Sequence, residues 1–171
     1  ASNLIIVDLI CLGINSPRIL PAYLHWKEEQ HGSKLVYYKA KNKELGWRQL
    51  TTKMVFENGD VEYDKKDTNY FTQGFISTHA FARPSCYECK FKGTPRIADI
   101  TISDFWGAEH YVGKEFDNNL GTSCILINSQ KGLNFYESVR TKFRDKVIKF
   151  EDVLENNKAL VNSLSKPSFT S

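Results

Sequence analysis

The stretch IADITISDFWG, residues 97–107, decides the fold that the sequence predicts. Residues 99–103 are typical of a buried strand, and the sequence DFWG that ends the stretch indicates a turn after this strand. Two other short apolar runs, at residues 4–8 and 124–127, have the length and the flanking turn residues of central strands. We therefore expect these three segments to be neighbouring strands of one sheet.

Helices and a hairpin are predicted around this sheet. Helical patterns cover residues 17–30, 67–78, 131–143 and 150–163, and a further short strand is predicted at residues 147–150. Ser16 and Pro17 favour the start of the first helix, because serine caps helices and proline suits the first helical position. Asn58-Gly59 is a strong hairpin signal. The predicted fold class is α/β, of mixed α+β type, with a central sheet, flanking helices and an inserted antiparallel β-hairpin.

Composition and length restrict the class of protein. The chain has 171 residues, of which 41% are hydrophobic, as expected for one ordinary globular domain. Its 23 basic and 20 acidic side chains lack the positive excess of a typical nucleic-acid binder. No apolar run approaches the ~18 residues that a membrane span needs. We therefore expect a cytoplasmic protein with no nucleic-acid partner and no membrane span.

The start of the chain indicates a piece of a longer polypeptide. The only methionine is Met54, and the first predicted strand begins almost at once, at Leu4. Because domains usually begin with a surface segment, we expect a missing N-terminal part of the same polypeptide to be a partner of this chain. We expect residues 1–165 to form a single domain and residues 166–171 to form a loose tail.

The four cysteines, at positions 11, 86, 89 and 124, are the most informative residues for function. Two of them form a C-x-x-C pair in RPSCYECKFKG, residues 83–93. A disulfide framework is disfavoured, because a chain with this many apolar residues folds without such links. A dithiol redox pair is disfavoured because Gly93 and Pro95 argue against the helix that activates such thiols. A metal site fits better, since a C-x-x-C turn directs two thiolates at one metal centre.

A metal site needs ligands in addition to Cys86 and Cys89. Cys11 is the best third candidate, because it follows the first strand at the edge where open α/β sheets place their ligands. The alternative for Cys11 is a small buried apolar residue. Cys124 lies in the apolar run CILI, which favours a core position. If the metal is zinc, His79 would be the residue that completes the site.

As a set, the motifs of this chain resemble those of the C-terminal domain of the coenzyme F420 hydrogenase/dehydrogenase beta-subunit family. DLICLGINSP, residues 8–17, is similar to the family pattern D-x-x-C-H-G-x-x-S-P. The matching motifs then follow in the same order: Gly46-Trp47, the Asn-Gly hairpin, Tyr-Phe-x-x-Gly-Phe at residues 70–75, R-x-S-C-x-x-C at residues 83–89 and D-I-T-I-x-D-F-W-G at residues 99–107. The resemblance extends from about Leu4 to about Phe143.

The resemblance implies redox chemistry. Members of this family, or their relatives, are iron–sulfur flavoproteins that pass electrons between a 4Fe–4S cluster, FAD and a deazaflavin or similar acceptor. Carried over to this sequence, Cys11, Cys86 and Cys89 would be three cluster ligands, with a fourth expected upstream in a G-T-P-C turn that this chain lacks. A redox partner subunit or an electron carrier is also implied. Leu12 stands where the family has histidine, which disfavours the same electron acceptor as in the named enzymes.

Two further groups of residues are candidates for binding a cofactor. The first group comprises Asp99, Asp104, Trp106 and Gly107. It suits a cofactor ring or its ribose hydroxyls, and the alternative is a packed tryptophan and an aspartate that caps a turn. The second group is basic and comprises Arg83, Lys90, Lys92 and Arg96. It suits a pyrophosphate or a phosphorylated substrate, and the alternative is a solvated loop.

The sequence thus predicts a domain, inactive alone, of an iron–sulfur flavoprotein oxidoreductase. It would transfer electrons between a 4Fe–4S cluster, a flavin and a deazaflavin-like or other acceptor. The alternative is a non-catalytic or structural module whose C-x-x-C pair holds zinc or stays as free thiols. Similar domains occur in bacterial proteins of polysaccharide-synthesis gene clusters, and the alternative is therefore associated with polysaccharide biosynthesis.

Overall fold

A computed structural model of the chain describes residues 3–168. This part of the chain contains six strands: β1 (Val7–Leu9), β2 (Leu35–Asn42), β3 (Thr51–Phe56), β4 (Val61–Asp64), β5 (Ile100–Asp104) and β6 (Ser123–Ile127). It contains four α-helices: α1 (Ile19–His31), α2 (Tyr70–Thr72), α3 (Gln130–Val139) and α4 (Phe150–Asn156). These elements confirm the predicted mixed α/β class. Within residues 3–168, no helix has the length and apolar character needed to cross a membrane.

The chain divides into two compact units, each with one three-stranded sheet. Within the described residues, the first unit comprises 3–12 and 89–163, and the second comprises 13–88 and 164–168. The single domain expected over residues 1–165 stays a prediction. The expected loose tail, residues 166–171, lies partly outside the described residues, and its described part has no regular secondary structure.

The sheet of the first unit has the strand order β1-β5-β6, so β5 is the central strand. β5 runs parallel to β1, with Ile100 opposite Val7, and antiparallel to β6, with Ile100 opposite Ile127. This order confirms that the three apolar segments are neighbouring strands. β1 begins later than expected, at Val7.

A partly buried ion pair ties β1 to the segment before β5. Asp8 lies in the middle of β1, and Nε and Nη2 of Arg96 donate to its Oδ2 at 3.1 and 2.5 Å. Thr101 Oγ1 donates to the other carboxylate oxygen at 2.5 Å. The Arg96 side chain is only 7% exposed, so its charge is buried against Asp8. β1 and β5 are therefore joined by side chains as well as by the backbone ladder.

The N-terminus of α3 packs directly against the start of β5. Ser129 caps α3 by accepting a hydrogen bond from the backbone N–H of Gly132 at 3.0 Å. A Cβ atom at Gly132 would lie 2.3 Å from the backbone oxygen of Asp99, which is shorter than any normal distance between non-bonded atoms. A larger residue at this position therefore requires the backbone to move.

The core of the first unit is one cluster of buried side chains: Phe105, Ala108, Val112, Cys124 and Val153. Cys124 is buried, which confirms its expected core position. Because members come from β6, from α4 and from the turn after β5, the cluster holds these elements together.

The sheet of the second unit is an antiparallel meander with the order β2-β3-β4. Gly59 has a φ of 91° in the turn between β3 and β4. That left-handed conformation favours glycine, and it confirms the hairpin predicted from Asn58-Gly59. Met54 and Phe56 of β3 are buried and form the apolar centre of this sheet.

Buried polar groups join α1 to β4. Lys27 is buried, and its Nζ lies 2.5 Å from Glu62 Oε1 and 3.3 Å from Asp64 Oδ2. The hydroxyl of Tyr23 also donates to Asp64. Each buried charge therefore has an opposite charge or a hydrogen-bond donor beside it, as burial of a charge requires.

His31, the last residue of α1, lies between two carboxylates. Its Nδ1 is 3.1 Å from Asp60 Oδ2 and its Nε2 is 3.0 Å from Glu62 Oε2. The ring also stacks on Phe56 with 3.8 Å between ring centres. The hydrogen bond with Asp60, and after it the one with Glu62, raises the pKa of His31 above its usual value of 6.5.

α1 begins at Ile19, two residues later than predicted. Asn15 forms a β-bridge with Ala82, the backbone N–H of Ser16 donates to Phe81 O at 2.8 Å, and the chain then turns before the helix starts. The N-cap residue is Arg18, which makes no side-chain hydrogen bond to the helix, and not the predicted Ser16.

The strand predicted at residues 147–150 is also wrong. Val147 is 85% exposed, whereas Ile148 packs against the core cluster. The ammonium group of Lys146 donates to the carbonyl oxygen of Tyr111 at 3.1 Å. Side chains, rather than a neighbouring strand, therefore hold this segment in place.

The remaining predicted helices are shorter than expected. The helix predicted at residues 67–78 is reduced to α2 and a π-helical turn, Gln73–Ser77. In that turn a Cβ at Gly74 would lie 2.2 Å from the Phe81 ring, so the ring packs directly on the backbone. α3 is followed by the 3-10 turn Arg140–Lys142, and α4 by the 3-10 turn Lys158–Leu160.

Replacing Gly132 by alanine is expected to lower the free energy of unfolding by about 1–3 kcal/mol, because the new Cβ collides with the Asp99 carbonyl. Helix propensity alone predicts the opposite sign, since alanine is favoured over glycine by about 1 kcal/mol. Urea denaturation followed by circular dichroism measures the difference. Asn134→Ala, at an exposed position of α3, is the control and is expected to change stability by less than about 0.5 kcal/mol. A Gly132→Ala protein as stable as the wild type would contradict the close packing.

The stabilisation from His31 is expected to depend on pH. The pKa of His31 is higher in the folded protein than its unfolded value of 6.5. The contribution of His31 to the free energy of unfolding is therefore complete below pH 6.5 and is lost as the pH rises through the folded-state pKa. The free energy of unfolding of the wild type minus that of His31→Gln should therefore decrease steadily as pH rises from about 6 to 9. The other three histidines are present in both proteins, so their titration cancels in this difference. If the difference in free energy of unfolding between the two proteins stayed constant with pH, it would contradict the pairing of His31 with Asp60 and Glu62.

Candidate functional site

The three cysteines predicted as ligands lie close to the points where the chain passes from one unit to the other. Cys11 follows β1 in the first unit and is exposed, and Cys89 is the first residue of that unit's second segment and is half-buried. Cys86 is half-buried and ends the 3-10 turn Pro84–Cys86 of the second unit. None of these three cysteines forms a disulfide bond in the described part of the chain, and neither does Cys124.

The sulfur of Cys86 accepts a backbone hydrogen bond. The N–H of Ile14 lies 3.3 Å from Cys86 Sγ. A Cβ atom at Gly13 would lie 3.5 Å from the same sulfur, so the backbone of residues 13–14 packs closely around it. The D-L-I-C-L-G-I segment, residues 8–14, therefore contributes a glycine and an N–H that contact a cysteine far away in sequence.

The loop around Cys89 is held by residues near the end of the first unit. Residues 157–163, which follow α4, are called the strap. Ser163 Oγ accepts a hydrogen bond from Cys89 N at 3.0 Å, and Leu160 O accepts one from Gly93 N at 2.8 Å. The backbone of the cysteine loop is thus fixed at Cys89 and at Gly93.

The basic residues of this loop have different roles. Arg96 binds Asp8 as described, and Lys92 Nζ donates to the carbonyl oxygens of Cys11 and Ala159. The alternative of a solvated loop is therefore wrong for these two residues. Lys90 is exposed, and Arg83 of the second unit is exposed with its Nε 3.3 Å from Asn15 O. Contact of Lys90 or Arg83 with a phosphate stays a prediction.

The carboxylate of Asp99 is engaged by the fold. It accepts hydrogen bonds from Ile6 N at 3.0 Å and from Ser129 Oγ at 2.6 Å, and Lys131 Nζ lies 2.9 Å away. The hydrogen bond from the Ile6 N–H, followed by those from Ser129 and Lys131, lowers the pKa of Asp99 to about 2. The structure therefore gives this side chain a structural role, and its contact with a cofactor stays a prediction.

Asp104, Trp106 and Gly107 lie together at the end of β5 and in the turn that follows it. Trp106 is 45% exposed, and Gly107 has a left-handed φ of 76°. A Cβ at Gly107 would lie 2.6 Å from Asn156 Nδ2 of α4, so the turn approaches that helix closely. Asp99 is not part of this group, because five residues of extended strand, roughly 16 Å, separate it from Asp104.

No metal site is formed by the side chains of residues 3–168: nowhere in this range are three or more His, Cys, Asp or Glu residues grouped so that they could hold a metal ion. His79, the additional ligand expected for zinc, has its Nδ1 3.3 Å from Ser165 Oγ. The three-cysteine ligand set and its zinc alternative therefore stay predictions.

The comparison with protein families finds a match to this chain. The family is described as the C terminus of the beta subunit of coenzyme F420 hydrogenase/dehydrogenase, and it matches residues 1–153. This chain belongs to that family. The match confirms the family expected from the sequence motifs and extends ten residues beyond Phe143, to Val153.

The comparisons with individual proteins add a distant structural likeness. A chain of the xenon-derivatised F420-reducing [NiFe] hydrogenase complex from Methanosarcina barkeri is 17% identical, with a TM-score of 0.42. The likeness covers 89% of this chain and 47% of that one, so the present chain spans about half the length of the hydrogenase chain. No curated protein matches.

Sequence reasoning named Lys92 only as a candidate for binding phosphate, and it missed the strap and the N–H of Ile14. Each of these contacts includes a backbone atom on at least one side, and contacts of this kind between distant segments leave no pattern in a single sequence. Arg96 had a detectable signal, because Asp8 within an apolar strand requires a buried cationic or hydrogen-bonding partner.

The four thiols are expected to differ in reactivity when no cofactor is bound. Cys11 is exposed and should be alkylated first by iodoacetamide, whereas burial raises the pKa of the Cys124 thiol, so Cys124 should react last. Peptide mass spectrometry after timed alkylation measures the four rates. In denaturant all four should react at similar rates, which controls for peptide recovery. Alkylation of Cys124 as fast as that of Cys11 in the native protein would contradict the described core.

Proposed function

We propose that this chain is the electron-transfer domain of an iron–sulfur flavoprotein oxidoreductase. In this proposal Cys11, Cys86 and Cys89 provide three thiolate ligands of a 4Fe–4S cluster, and the fourth ligand comes from outside the 171 residues. A cluster of this type supplies one-electron transfer when it is bound. Membership of a family of hydrogenase and dehydrogenase beta subunits supports this class of reaction.

The observation that carries the proposal is the environment of Cys86. Its sulfur accepts a backbone N–H bond at 3.3 Å, and hydrogen bonds to sulfur are among the features by which proteins tune iron–sulfur clusters. Cys11 is exposed and Cys89 is half-buried, and neither forms a disulfide bond. The donor set is therefore chemically suited to iron–sulfur ligation, whereas Cys124 is part of the core.

The flavin is proposed to contact the turn that ends β5. Trp106 offers an exposed aromatic surface, and Asp104 lies two residues before it, which suits a ring and its hydroxyl groups. Lys90 and Arg83 are exposed cations, and each is proposed to contact phosphate groups of a cofactor. Electrons would then pass to or from a redox partner subunit or an electron carrier through a deazaflavin-like or other acceptor.

The proposal is tested by purifying the natural full-length polypeptide without oxygen and measuring iron, acid-labile sulfide and flavin. Each of Cys11→Ala, Cys86→Ala and Cys89→Ala is expected to lose most of the bound iron, because a cluster that loses one of its thiolate ligands is no longer fully coordinated. Cys124→Ala is the matched control and is expected to retain iron, since its side chain is buried in the core cluster.

Two outcomes would overturn this function. Stoichiometric zinc without iron would support a structural module instead. Equal iron content in all four cysteine variants would contradict the assignment of Cys11, Cys86 and Cys89 as cluster ligands. A polypeptide that binds iron but no flavin would reject the flavoprotein part of the proposal alone.

A further inference from the structure

The strap provides the starting observation, because it lies beyond the part of the chain that matches the family, residues 1–153. Three of its residues contact the loop of residues 89–93. Ser163 Oγ is 3.0 Å from Cys89 N, Ala159 O is 2.6 Å from Lys92 Nζ and Leu160 O is 2.8 Å from Gly93 N. All of these residues belong to the first unit.

The strap is itself held firmly by the core of the first unit. Leu160 is completely buried, and Asn157 is 4% exposed. Asn157 Nδ2 donates to Val153 O of α4 at 2.9 Å, and Leu160 N donates to Asn157 O at 2.9 Å. The strap is therefore a fixed support and not a loose extension.

Lys92 connects this support to Cys11. Its ammonium group donates to the carbonyl oxygen of Cys11 as well as to that of Ala159. Hydrogen bonds from a charged donor are roughly twice as strong as neutral ones, so a single side chain holds two segments that are far apart in sequence. The loop that carries Cys89 thus supplies one cation, Lys92, and this cation binds both the segment after β1 and the strap.

We propose that Lys92, supported by the strap, positions Cys11 and Cys89 for ligation and places a fixed positive charge beside the cluster that they bind. This proposal rests on the proposed function for its second part. A cluster's potential depends on nearby charge, and a positive charge favours the reduced form. Lys92 is therefore a positioning residue that also raises the reduction potential.

The positioning is tested first on the cluster-free protein by hydrogen exchange. Lys92→Met is expected to increase exchange of the backbone amides of residues 9–12 and 89–93 by roughly tenfold or more, as loss of charged hydrogen bonds predicts. Lys92→Arg keeps a cation of similar reach and should restore most of the protection. Lys90→Met removes an exposed cation from the same loop and should leave exchange unchanged.

Ser163→Ala provides a second variant that leaves Lys92 intact, so the test survives if Lys92→Met fails to fold. It should increase exchange in residues 89–93 while leaving residues 9–12 protected, because the hydrogen bond of Ser163 is made to the loop. Equal protection in Lys92→Met and Lys90→Met, or a Ser163→Ala protein with unchanged exchange in residues 89–93, would overturn the positioning role.

The charge effect is tested on the cluster-loaded, full-length protein by a redox titration followed by electron paramagnetic resonance. Lys92→Met is expected to lower the reduction potential, while Lys92→Arg and Lys149→Met, which removes an exposed cation beside α4, should leave it close to that of the wild type. An unchanged potential in Lys92→Met would overturn the charge effect. A wild-type protein that never binds iron would reject the proposed function and with it the charge effect, whereas the hydrogen-exchange result on the cluster-free chain would still decide the positioning role.

Discussion

The carboxylate of Asp99 is the group on which the first unit depends. Its oxygens hold the backbone before β1, the serine that caps α3 and the ammonium group of Lys131. The backbone oxygen of Asp99 accepts a hydrogen bond from the N–H of Asn128, which follows β6. The same oxygen leaves no space for a side chain at Gly132. One residue at the start of the central strand therefore aligns both neighbouring strands and the helix that follows them.

The parts of the fold that were predictable are those in which a local pattern decides the outcome. The apolar segments of the first sheet and the Asn58-Gly59 turn need only their own residues to specify a strand or a hairpin. Ser16 and Val147 show where this fails. Ser16 has the preference of a helix cap, but residues 15–16 pair with residues 81–82 and the helix starts later. The segment at Val147 has the composition of a strand, but it lies beside no strand and is held by side-chain contacts instead.

The candidate site also has a part that a local sequence pattern predicts and a part that depends on contacts between distant segments. Cysteine spacing and the motif order were sufficient to find the family, because both are properties of sequence alone. The engagement of Asp99 by Ile6, Ser129 and Lys131 was not predictable, since its partners come from segments distant from it in sequence. Side chains that bind backbone atoms are the least visible of all, because every residue type carries the same carbonyl oxygen.

The discontinuous first unit has a consequence for the order in which the protein folds. β1 is made before the meander, but its parallel partner β5 follows only after all three strands of the meander have been made. Antiparallel neighbours joined by short turns close quickly, whereas a parallel pair that spans a long intervening segment must first close a large loop. We therefore expect the meander to form first during synthesis, while the residues of β1 stay unpaired until β5 emerges.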